Sequence, residues 1–218
     1  MESLPVRRVD PTNRLQIDAA EEPAEVYTRF DFPGRGRKYS RFVWDHRRFT
    51  GVDTNRLDPD HHLFLLQGKA WADDVDEELG NYDYLMGADV DVRDEAVSRE
   101  LYRWGLWYLR RTHLDGFRLD AVKHISASFM EQWLKRLRSK TRRELFAVGE
   151  YWNYDVRALQ TYLDRSHGCM SLFDVPLHGQ FHDISISNGA FDMRRLFAGT
   201  LTSEHPEMSV TFVDNHDT

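Results

Sequence analysis

The sequence predicts an α/β fold in which parallel strands alternate with helices, preceded by an irregular region of short strands. Three observations carry this prediction. From Asp94 onward, stretches with apolar residues at three- and four-residue steps alternate with short continuous apolar runs. Runs that are apolar at every position belong to strands covered on both faces, the condition of a parallel sheet flanked by helices. Three of these runs end at acids, in Asp120, Glu150 and the stretch Asp214-Asn215-His216-Asp217.

Bulk composition narrows the function. The chain has 218 residues, 41% hydrophobic, 13% aromatic and 30% charged, an ordinary globular balance. Its net charge of −7 argues against nucleic acid as a partner, because phosphate binding needs a basic footprint. Cys169 is the single cysteine, so no intrachain disulfide is available. No apolar run approaches the ~20 residues of a membrane span, and MESLPVRRVDP has no signal-peptide pattern. Location is left open between secreted and cytoplasmic.

Residues 1–93 are expected to form a β-rich domain and residues 94–218 a catalytic one. In the first, Val26–Phe30 and His62–Gln67 read as short strands around a turn-rich loop, DFPGRGRKYS. The basic residues Arg35, Arg37, Lys38, Arg41, Arg47 and Arg48 are read as a solvated face or as partners for nearby acids. Asn81–Asp94 reads as a loop in which Asp83, Asp89 and Asp91 bracket an apolar turn. Calcium favours such hard oxygen ligands, yet the spacing fits no EF-hand loop, and an exposed acidic turn is the bland alternative.

Beyond Asp94, which caps a helix running to about His113, each element follows from its pattern. Val97, Leu101, Trp104, Trp107 and Tyr108 recur at three- and four-residue steps along that helix. Gly116–Asp120 is expected as a short buried strand. Ser126–Lys140 is helical through Phe129, Met130, Trp133 and Leu137, and leads to the strand Leu145–Gly149. A helix at Asp155–Arg165 precedes a strand at Ser171–Val175. Phe191–Ala198 is expected to be helical and Ser209–Val213 a strand.

Right-handed crossovers place the strand C-termini on one side, so Asp120, Glu150 and Asp217 should converge there. Arg118 and Asp120 share one face of their strand because side chains alternate with period two, and the arginine favours an ionised Asp120. Acids gathered at one mouth split their pKa values. Glycoside hydrolysis needs that arrangement: an anionic nucleophile and a protonated acid for the leaving oxygen. Tyr151 and Trp152 suit stacking on sugar rings, although rim aromatics also serve as packing. An isolated R-x-D pair reads as a structural ion pair; three acid-terminated strands change that reading.

The stretches GFRLDAVKH, VGEYW and FVDNHD resemble three signatures of the α-amylase family of glycoside hydrolases, as do FDFPGRG, GKAW, GNYDYLM and FDVPLH over nearly the whole chain. The match is to the bacterial liquefying type and its intracellular relatives. The resemblance implies a (β/α)8 TIM barrel, of which only about strands four to seven are present, with an inserted β-rich domain before them. It implies Asp120 as nucleophile, Glu150 as general acid and base, and Asp217 as the acid that binds sugar hydroxyls and distorts the ring. Arg118, Lys123, His124, His216 and Trp152 would contact substrate or the nucleophile. The reaction implied is endo-hydrolysis of α-1,4-glucosidic bonds in starch, glycogen or maltooligosaccharides with retention of configuration, by an enzyme that is monomeric when complete.

The resemblance also implies one structural calcium, with Asp83, Asp89 and the backbone carbonyl of His124 as ligands. Asp91 would belong to an adjacent second calcium or sodium site. That extended cluster is not expected here, because Ala72, Thr50 and Arg93 stand where the family has acids. The DxVxNH signature has no counterpart in the chain, which is expected to be a partial barrel that folds poorly or self-associates and has little or no activity alone. Two alternatives are a different α-glucan hydrolase or transferase of the family, and a non-catalytic glucan-binding protein. Retention of all three acids argues against the second.

Overall fold

The computed structural model describes residues 1–217. The chain divides into two compact units, Met1–Leu106 and Trp107–Thr218.

The first unit is built on a five-stranded antiparallel sheet. Its strands are β1 (Glu2–Arg8), β2 (Glu22–Val26), β3 (Phe49–Val52), β4 (Phe64–Leu66) and β5 (Ala88–Val90), in the order β2-β1-β4-β3-β5. One face buries Val6, Ala24, Val26, Phe49, Val52, Phe64 and Leu66. The other packs Val9, Leu63 and Leu65 against Trp71 and Tyr84. Strand β1 is not foreseen from its sequence, because Pro5 interrupts it. Pro5 lies opposite Pro23 in β2, and its carbonyl still accepts from the Gln67 N–H at 3.3 Å on the other side. The expected strand at Val26–Phe30 ends at Val26 instead, and Phe30 makes only an isolated bridge with Trp44. The expected loop Asn81–Asp94 contains β5, which pairs with β3 across an irregular register. Two members of the basic cluster meet acids: Arg47 reaches Asp45 at 2.5 Å and Arg48 reaches Asp94 at 2.6 Å.

The second unit holds four parallel strands in sequential order: β6 (Gly116–Leu119), β7 (Phe146–Gly149), β8 (Ser171–Phe173) and β9 (Ser209–Val210). Helix α1 (Glu95–Thr112) begins in the first unit and ends in the second, delivering β6. Helices α2 (Ala127–Thr141) and α3 (Val156–Arg165) follow β6 and β7; α4 (Val175–Ile186) and the short α5 (Leu201–Glu204) follow β8. Ser126 caps α2 by accepting from the Phe129 N–H, and Asp155 caps α3 by accepting from the Arg157 N–H. Leu134, Leu137, Leu145, Leu159, Leu172, Leu177 and Leu201 are fully buried and form the core.

Three expectations are corrected here. Strand β6 is half-buried rather than buried, because it lies at the sheet edge. The helix expected at Phe191–Ala198 is only a tight turn at Met193–Arg195, while α4 has no amphipathic stripe in its sequence to announce it. Strand β9 stops at Val210, two hydrogen-bonded positions long, so residues 211–217 run on without strand pairing.

Candidate active site

Asp120 and Glu150 each follow the last paired residue of adjacent parallel strands, Leu119 opposite Gly149. Register therefore brings the two acids to the same height at the sheet's C-terminal end. The backbone locks this: the Glu150 N–H donates to the Leu119 carbonyl at 2.8 Å, and the Val122 N–H donates to the Glu150 carbonyl at 3.1 Å. Between them Ala121 adopts a left-handed conformation (φ 49°), which turns the chain sharply after Asp120. Gly149 leaves no room for a side chain, since a Cβ there would meet Met170 Sδ at 2.7 Å and Val122 Cγ2 at 3.0 Å.

One guanidinium spans both acids. Arg118 donates to Asp120 Oδ1 at 2.5 Å through one terminal nitrogen and reaches Glu150 Oε1 at 3.0 Å through the other. Burial works to lower the Arg118 pKa, but the hydrogen bond it donates to Asp120 and the charge of Glu150 outweigh this and raise it. The two carboxylates sit in different surroundings: the Asp120 side chain is 70% exposed and that of Glu150 only 10%. Glu150 also accepts from the Ala121 N–H at 3.4 Å. This pairing of an open carboxylate with a recessed one, bridged by a fixed cation, suits attack at one and proton transfer at the other.

The remaining candidates lie in the segments that follow β6, β7 and β9. Lys123 is buried and donates through Nζ to the Trp152 carbonyl at 3.4 Å. His124 closes the short helical turn after Asp120, its N–H donating to the Ala121 carbonyl at 3.0 Å. Trp152 packs with His178 and Phe212, at ring separations of 5.8 and 6.1 Å. Asp217 and His216 lie in the exposed segment after β9 and pair with each other at 3.2 Å. Among the described residues no ion pair links Asp217 with Arg118.

In the first unit, Asp83 and Asp89 are buried carboxylates. Asp83 Oδ2 accepts from the Ala72 N–H at 2.7 Å. Burial, reinforced by the charge of Asp91, pushes its pKa up to about 6 against the pull of that N–H and of Arg93. Burial and the charge of Asp83 raise Asp89 well above the usual carboxylate range, and its Oδ2 is buried without a hydrogen-bond partner. Asp91 differs: burial works to raise its pKa, but Lys69 at 2.8 Å and Arg93 at 3.1 Å lower it. Among the described residues no group of three or more His, Cys, Asp or Glu side chains forms a metal-binding set. His124 belongs to the other unit.

Asp174 was not a candidate from the sequence, and it organises the far side of this sheet. It is fully buried, caps α4 by accepting from the Leu177 N–H at 3.0 Å, and accepts from the N–H groups of Leu201 and Thr202 at 3.2 and 2.7 Å. An Asp two residues before Pro176 was the available signal, being an N-cap followed by proline in the first turn.

Comparison with known proteins gives a consistent result. The family model described as the α-amylase catalytic domain matches residues 35–218. The chain is 48% identical over 210 residues to an α-amylase of Bacillus licheniformis, covering 96% of this chain and 41% of that protein. It is 48% identical over 212 residues to a glucan 1,4-α-maltohexaosidase of Bacillus sp. strain 707, covering 96% and 41%. To a cytoplasmic α-amylase of Escherichia coli K12 it is 42% identical over 221 residues, covering 100% and 45%. The chain thus spans less than half the length of each of these relatives. Motifs, strand-end acids and family match agree, and the chain belongs to the α-amylase catalytic-domain family.

Proposed function

We propose that these residues form part of the active site of a retaining endo-α-1,4-glucan hydrolase acting on starch, glycogen or maltooligosaccharides. The observation that carries the reading is the single Arg118 guanidinium held on both Asp120 and Glu150 at the ends of adjacent parallel strands. Asp120, the exposed carboxylate, attacks the anomeric carbon and forms the glycosyl-enzyme bond as the glycosidic bond breaks. Glu150, the recessed one, gives its proton to the departing oxygen, then takes one from the water that hydrolyses the intermediate. Arg118 keeps Asp120 oriented without reacting. Asp217, with His216 beside it, binds sugar hydroxyls and favours the distorted ring; Lys123, His124 and Trp152 line the leaving-group side. Retention predicts carboxyl groups ~5–5.5 Å apart in the assembled site.

The finer architecture we propose is a (β/α)8 barrel to which residues 94–218 contribute about strands four to seven, with residues 1–93 as the β-rich domain before them. A structural calcium fits Asp83 and Asp89, two buried carboxylates with raised pKa values, one of which has an oxygen without a partner. When bound, the ion supplies the positive charge that balances these buried anions. Asp91 already has two cationic partners, which argues against a further ion there.

The test is cleavage of a blocked maltoheptaoside, with calcium present, by the full-length polypeptide carrying these residues and by its Asp120→Asn variant. Internal cleavage that the substitution abolishes supports the proposal. Binding of maltooligosaccharide without turnover by a well-folded protein would instead point to a glucan-binding protein.

A further inference from the structure

We propose that His178 is a positioning residue that ties the segment carrying Asp217 to the segment carrying Glu150, an inference that rests on the glycosidase reading. His178 is the fourth residue of α4 and only 7% exposed. Its Nδ1 lies 3.0 Å from the Val213 carbonyl oxygen. A carbonyl oxygen can only accept, so Nδ1 carries the hydrogen whatever the charge of the ring. The ring stacks on Phe212, with centroids 4.7 Å apart and planes within 8°, and Trp152 packs against it at 5.8 Å. Phe212 and Trp152 are themselves 6.1 Å apart, which closes a three-ring cluster.

Position gives this cluster its meaning. Trp152 follows Glu150 by two residues, and Val213 precedes Asp217 by four. On the other side, Lys123, three residues after Asp120, holds the Trp152 carbonyl at 3.4 Å. Segments leading to or from all three acids therefore meet at Trp152 and His178. The two sides differ in how they are anchored. Helix α4 is anchored through buried Asp174, whose carbonyl accepts from the His178 N–H at 3.0 Å and whose side chain accepts from the Leu177 N–H at 3.0 Å. Residues 211–217, by contrast, lie beyond the last strand pairing. A donor from an anchored helix to a carbonyl beyond the last strand pairing sets where Asp217 sits relative to Glu150.

The experiment compares His178→Phe, which keeps the ring and removes the donor, with His178→Asn, whose amide nitrogen stands near the Nδ1 position. Both are made in the full-length polypeptide, with unsubstituted protein and Asp120→Asn as references. His178→Phe is expected to lower kcat for maltoheptaoside about tenfold, with KM within about twofold, and His178→Asn to recover most of that loss. Unchanged kcat in His178→Phe, or equal losses in both variants accompanied by equal falls in Tm, would overturn the inference. Amide hydrogen exchange of residues 211–217 tests the tie without needing turnover: about fivefold faster exchange is expected in His178→Phe, and unchanged exchange also overturns it. Absence of cleavage by the unsubstituted protein counts against the glycosidase reading alone.

Discussion

Arg118 shows how one side chain carries two levels of information. That it shares a strand face with Asp120 follows from the period of two and is legible in R-x-D itself. That its second nitrogen reaches Glu150, 32 positions further along, is a matter of register between β6 and β7 and is not written locally. The fork geometry matters because a guanidinium presents separate nitrogens in a fixed plane, whereas an ammonium is one compact charge. Arg118→Lys is therefore expected to lower kcat by about 10²-fold with KM little changed, measured on maltoheptaoside. Activity within twofold of the unsubstituted protein would show that charge alone suffices at this position.

Among the elements, α4 and the strand β5 were the least legible, and both prove consequential. Helix α4 has no helical apolar stripe because Val175, Pro176, Leu177 and His178 in succession are buried, leaving no polar face in its first turn. Its start depends on Asp174, which also holds the N–H groups of Leu201 and Thr202. Removing that carboxylate strands several buried donors at once. Asp174→Ala is expected to destabilise the protein by on the order of 3 kcal/mol in denaturant unfolding, and Asp174→Asn by less, since one acceptor oxygen is kept. Strand β5 holds Asp89, with its Oδ2 buried, within reach of the charge of Asp83, where the sequence suggested a loop. A carboxyl whose folded-state pKa lies above its ordinary value favours folding while protonated. That contribution is complete below the ordinary carboxylate range and is lost as pH rises through about 6 for Asp83. Metal-free protein is thus expected to lose stability from pH 4 to pH 7, and calcium to restore it, by about 2.7 kcal/mol at a hundredfold excess over Kd. Asp89→Asn should melt higher than unsubstituted protein in chelator at pH 7 and respond less to calcium. A Tm that calcium leaves unchanged in both proteins would remove the case for an ion at Asp83 and Asp89.

At the scale of the whole molecule, the parallel sheet ends openly: β6 and β9 each have one strand neighbour. An edge strand with unpaired backbone groups is a template for another chain, and here exposed Phe146, Tyr154, Phe197 and Val213 add apolar surface in the same unit. The 218-residue chain on its own is expected to self-associate, read as a rise in mass with concentration by light scattering. A monodisperse, cooperatively melting sample would refute this.

The sequence by itself determined which segments become strands β6 to β8 and helices α1 to α3, and that Asp120 and Glu150 stand at strand ends. These are consequences of local periodicity, capping residues and continuous apolar runs, which need no knowledge of distant neighbours. Only the tertiary structure decided that Arg118 serves two carboxylates, that Asp174 holds two helix starts and that His178 meets the Val213 carbonyl. It likewise decided that the Oδ2 atom of Asp89 is buried without a hydrogen-bond partner. Each of these depends on strand register or on burial by residues far away in the chain, and neither leaves a mark in the residues' immediate surroundings.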